Sequence, residues 1–83
     1  GEEIAISKEK LILSHWTPFG RIKRNDLILM GIESVEVARR FGGVRVLVID
    51  SLASRIEFGT GQPEEVLQWM KNLILTAINH VER

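Results

Sequence analysis

The first half of the chain alternates between apolar and polar positions with a period of two. In "EEIAIS", Ile4 and Ile6 stand against Glu3, Ala5 and Ser7, and "KLILSHW" follows the polar Lys8-Glu9 pair. This spacing predicts a β-hairpin over residues 3–16. Pro18 and Gly20 in "TPFG" break the run and predict a turn. "RIKRNDL" then predicts a polar strand with Ile22 as its inward residue, and "ILMGI" a short buried crossover.

The segment "SVEVARRFGGVRVLVID" predicts two strands around Gly42-Gly43, because a two-residue type I′ loop needs positive φ at both positions. Such a loop sets Phe41 against Val44, Arg39 against Val46 and Val37 against Val48. On the other face it sets Arg40 against Arg45, Ala38 against Leu47 and Glu36 against Ile49. Directly opposed like charges are unfavourable, so Arg40 and Arg45 require a nearby acid, solvent or a bound anion. After a turn at "DSLAS", residues 54–58 alternate again, with Ile56 and Phe58 against Arg55 and Glu57.

From Pro63 the period becomes helical. Proline suits a first helical turn, where its missing N–H costs nothing, and Glu64 and Glu65 complement the positive end of the helix dipole. On a 3.6-residue wheel Val66, Met70, Leu73, Ile74, Ala77 and Val81 form one stripe, widened by Leu67, Trp69 and Ile78. Leu75 falls on the opposite face. Six strands within residues 3–58 followed by one helix at about 63–81 predict a single α+β domain spanning residues 1–83, a small sandwich covered by its helix.

Composition narrows the function more than it specifies it. Eighty-three residues, 45% hydrophobic and 27% charged, fit one domain with a small core. Eleven basic and eleven acidic side chains balance, so net charge recruits neither nucleic acid nor an anionic membrane at long range. The chain has no cysteine, which excludes disulfides and thiolate chemistry and fits a reducing compartment. No apolar run approaches the ~20 residues of a membrane span, and the chain is expected to be soluble. Gly1, with no initiator methionine, is read as a trace of excision from a longer protein.

Candidate chemistry is sparse. Gly59-Thr60-Gly61 at a helix start resembles a phosphate cradle, but Glu64 and Glu65 occupy the position of the anion, a third glycine is missing and no Walker lysine follows. These glycines are read as backbone punctuation. His15 and His80 lack partners at ligand spacing, so no metal is expected; no Gly-x-Ser-x-Gly elbow and no acid–base pair is visible, so neither catalysis nor a cofactor is expected. Trp16 is read as core, whereas Phe19 in the turn is ambiguous. The one charge asymmetry lies between residues 21 and 45, where Arg21, Lys23, Arg24, Arg39, Arg40 and Arg45 outnumber Asp26, Glu33 and Glu36. It fits a solvated edge that deters strand aggregation, or a contact with anionic lipid or acidic protein.

The order "EEIAIS", "KLILS", a polar third strand, the glycine-tipped "ARRFGGVRVLV" and the ending "IEFGTGQPEEVLQWMKNLI" resembles the bacterial pleckstrin-homology-like domains. It is also similar to the soluble tail of a family of small two-span membrane proteins of unknown function. The resemblance implies a partly open antiparallel barrel of six to seven strands capped by the C-terminal helix. It also implies a non-enzymatic module that binds proteins or itself, in the cytoplasm at the inner face of a bacterial membrane. The alternative it implies is a peripheral anionic-lipid binder, with Arg39, Arg40 and Arg45 joined by Lys8, Lys10, Arg21, Lys23 and Arg24.

Overall fold

The computed structural model describes residues 1–20 and 22–81. Strands β1 (Glu2–Ile6), β2 (Lys10–Trp16) and β3 (Ile22–Ile28) form one antiparallel sheet in the order β1-β2-β3. Strands β4 (Ile32–Arg39), β5 (Arg45–Ser51) and β6 (Arg55–Phe58) form a second in the order β4-β5-β6, and helix α1 runs over Glu64–Val81. The fold is therefore α+β, as the periodicity indicates, with two three-stranded sheets of which neither is closed. The expectation for the Ile22 side chain, like the one for Arg21, lies outside the described residues.

The sheets face each other across one core. Leu11, Leu13 and Leu27 project from the first sheet, and Val35, Leu47, Ile49 and Phe58 from the second; Leu67, Met70 and Ile74 of α1 complete the cluster. The helix packs on β4, β5 and the crossover between the sheets, and Lys71 Nζ reaches Glu36 Oε2 at 3.3 Å to tie it to β4. Wheel geometry finds the right face of the helix but makes it too wide, since Trp69 is exposed rather than packed.

The glycine hairpin differs from the expected two-residue loop. Arg40 C=O accepts from Gly43 N–H at 3.1 Å, and Arg40 N–H donates to Val44 C=O at 2.6 Å. Phe41, Gly42 and Gly43 thus form a three-residue loop, with Gly42 at φ 80° and ψ 9° and Gly43 at φ 79°. The register moves by one residue: Arg39 pairs with Arg45, Ala38 with Val46, Val37 with Leu47 and Glu36 with Val48. One such slip exchanges the faces. The core decides the outcome, because the observed register puts Val35 and Val37 on the same side as Leu47 and Ile49, all packed in the main cluster. Val46 and Val48 turn to the opposite face, buried apart from that cluster.

A second irregularity acts in the same way. Pairing jumps from Ile32↔Ser51 to Ser34↔Asp50, leaving Glu33 as a bulge. The extra residue re-phases β4 so that Ile32 joins the core three positions before Val35. The crossover is only half buried: Leu29 and Ile32 are inside, but Ile28 and Met30 point to solvent. Trp16, expected in the core, also lies at the surface on the outer side of β2, because Leu11 and Leu13 take the inner positions of that strand.

Gly59 and Gly61 adopt φ of 72° and 84°, as expected of backbone punctuation. Gly61 N–H donates to Arg45 C=O at 3.0 Å, and a Cβ on Gly59 would stand 2.8 Å from Leu67 Cδ2. The corner is thus held closed against the helix and β5.

Candidate functional site

The seven candidate basic residues that are described do not converge. Arg21 lies outside the described residues. Arg24 makes a two-pronged contact with Asp26, Nε to Oδ1 at 2.7 Å and Nη2 to Oδ2 at 3.0 Å. The hydrogen bond from Arg24 outweighs desolvation and, with lesser help from the charges of Arg24 and Lys10, holds the Asp26 carboxyl below its ordinary pKa. Arg40 Nε, just beyond β4, meets Glu57 Oε1 of β6 at 2.9 Å across β5, on the face that carries Val46 and Val48. Arg45 Nη2 lies 3.8 Å from Glu64 Oε2 in the first turn of the helix. The two opposed arginines of the hairpin are Arg39 and Arg45, and a nearby acid, Glu64, serves the second. Arg39 is exposed.

The remaining cations are distributed over the molecule. Lys8 occupies the β1–β2 turn, where it lines a groove together with His80 at the other end of the helix from Arg45. Eighteen helical residues separate those ends by roughly 27 Å. Lys10 opens β2 opposite Ile28, and Lys23 pairs with His15 in a third location. Among the described residues, no single basic face combines these groups.

A polar cleft of about 550 Å³ opens between β2, β3 and β6, with Glu2, His15, Lys23, Asn25 and Arg55 in its walls. Glu2 Oε2 accepts from Gly59 N–H at 3.2 Å and stands 3.7 Å from His15 Nδ1. That last separation exceeds hydrogen-bond reach, so Glu2 stands beside the His15 ring without bonding it. The pairing escapes sequence reasoning because it arises from strand register, Glu2 opposite His15, and from a loop that is distant in the chain. Arg55 is engaged by Asp50 at 3.2 Å. Among the described residues, no three His, Asp or Glu side chains gather as metal ligands.

The exposed apolar residues form a different pattern. Ile28 (65% exposed) and Met30 (68%) flank buried Leu29, and Leu52 (80%) in the β5–β6 turn donates its N–H to Gly31 C=O at 2.9 Å. The crossover between the two sheets and the turn bonded to it therefore expose three large apolar side chains to water. Phe41, fully exposed at the hairpin tip, and Phe19 in the β2–β3 turn stand alone at loop apices. Composition contains all of these residues, but only the half-buried crossover reveals which are left outside. Among the described residues, no helix is long and apolar enough to cross a membrane.

Compared with known proteins, the chain matches no family model, no curated protein and no solved structure.

Proposed function

We propose that the chain is a non-enzymatic interaction module of pleckstrin-homology-like architecture that associates with itself through the crossover between its two sheets. The observation that carries this reading is the exposure of Ile28, Met30 and Leu52 on the crossover and on the turn that its Gly31 carbonyl holds. Clustered apolar exposure on a small domain marks an interaction surface more often than it marks waste. Paired antiparallel sheets with a C-terminal helix support the architecture, and the resemblance supports a cytoplasmic domain of a membrane-associated bacterial protein.

The test is sedimentation velocity across a wide protein concentration range, for the parent chain and for Met30→Asp and Leu52→Asp. Both side chains are solvent-exposed, so each substitution should leave stability within about 0.5 kcal/mol. The parent should sediment faster with rising concentration, and both variants should remain monomeric. Concentration-independent monomer for the parent would sink the proposal.

One observation favours a second reading, contact with an anionic membrane through the hairpin tip. Phe41 is fully exposed there, beside exposed Arg39. Glu57 and Glu64 offset Arg40 and Arg45, which weakens the attraction that the sequence suggests. Vesicle co-sedimentation with anionic and neutral lipid separates the two readings. Binding that fades as salt rises belongs to the tip, whereas apolar self-association persists.

A further inference from the structure

Strand β3 is the last strand of its sheet, and its far side is an open edge. Leu29 N–H donates to Glu9 C=O at 2.9 Å, in line with the β2–β3 ladder. Bonded pairs alternate along an antiparallel ladder, so Leu27, Asn25 and Lys23 direct their N–H and C=O groups to β2. Those of Arg24, Asp26 and Ile28 therefore point to the open edge.

A second copy of β3 can meet this edge in few antiparallel registers. A one-residue slip sets outward backbone groups against groups already bonded to β2, so the allowed registers differ by two residues. One of them sets Arg24 against Arg24 of the second copy, and another sets Asp26 against Asp26. Both oppose like charges. The register between them is centred on Asn25 and sets Arg24 of each copy opposite Asp26 of the other. It also overlaps the whole of Ile22–Ile28. Charges that deter other strands from this edge thus admit its own copy.

The ends of the strand fit the same register. The crossover with exposed Ile28 and Met30 lies at one end, and the β2–β3 turn with Phe19, 91% exposed, lies at the other. Antiparallel pairing brings the crossover of each copy to the β2–β3 turn of the other, so the two apolar groups meet twice about the two-fold axis.

We propose that two copies join edge to edge through β3, antiparallel and centred on Asn25, merging their three-stranded sheets into one of six strands. The proposal rests on self-association through the crossover and specifies how the second copy is seated there.

The experiment is a charge exchange followed by sedimentation velocity. Arg24→Asp and Asp26→Arg should each stay monomeric at concentrations where the parent assembles, because each opposes like charges in both halves of the contact. An equimolar mixture of the two variants should assemble, since each Arg then faces an Asp of the other chain. The doubly exchanged chain, Arg24→Asp with Asp26→Arg, should assemble alone. Asn25→Cys adds a geometric reading in a chain without cysteine. Residues opposed in a non-bonded antiparallel pair lie about 4.5 Å apart at Cα, within disulfide reach, so this variant should form a covalent dimer on mild oxidation. Lys23→Cys, opposite Leu27 of the second copy, should crosslink far less. A parent that assembles while both single charge variants assemble as it does, a mixture no more associated than its components, or no crosslink at Asn25 would overturn the edge pairing and leave the crossover reading standing. A parent that stays monomeric would overturn both.

Discussion

Asp26 and Arg24 show how much of the charge pattern depends on local partners. The pair is exposed, yet the guanidinium hydrogen bond keeps the Asp26 carboxyl below its ordinary range. With the folded value below the unfolded one, roughly 3.9, its contribution is present above that pH and is lost as pH falls through the lowered value. In a carbon-detected titration Asp26 should protonate below the ordinary carboxylate range, and Arg24→Ala should return it there. An unmoved titration in the variant would show that the bond does not persist in solution. Gly59 supports a second prediction at this scale: alanine there meets both an unfavourable φ and the Leu67 side chain, and should cost about 1–3 kcal/mol. Gly61→Ala meets open space and only backbone strain, so its loss in denaturant melts should be the smaller. The glycines were legible in the sequence as punctuation. The acids that engage Arg40 and Arg45 were not, because Glu57 and Glu64 arrive from other elements.

At the scale of elements, alternation and the change to helical period placed all six strands and the helix, and the errors concern phase. Gly42-Gly43 invites a two-residue loop, but a loop of three lets Leu47 and Ile49 share a face with Val35 and Val37. Local turn chemistry yields here to tertiary packing, which no single window of sequence contains. Cross-strand NOEs should link Arg39 with Arg45 and Val37 with Leu47; pairing of Val37 with Val48 would restore the shorter loop. The helix makes a matching statement about energy. Ile74 is fully buried, so Ile74→Ala should destabilise by about 2–5 kcal/mol. Leu75, one residue on but facing water, should tolerate alanine at a cost below about 1 kcal/mol. Equal losses at the two positions in thermal melts would mean that the outer face of the helix is also covered.

At the scale of the whole molecule, the sequence announces an α+β domain, but it does not disclose which surfaces remain available. Among the described residues, the basic side chains that look like one cluster between positions 21 and 45 separate onto different edges, and several are engaged by acids. The crossover "ILMGI" reads as uniformly apolar and hence buried, yet the backbone can bring only Leu29 and Ile32 into the core while Ile28 and Met30 turn outward beside Leu52. A chain of this length has few core positions to offer, and the apolar side chains left outside are the surface we propose for a second copy. The most direct measurement of that claim is sedimentation velocity over a concentration series, on the parent chain beside Met30→Asp and Leu52→Asp. Concentration-dependent assembly of the parent, lost in both variants with melting curves unchanged, is the expected result. A parent that stays monomeric, or variants that assemble as the parent does, would contradict the account.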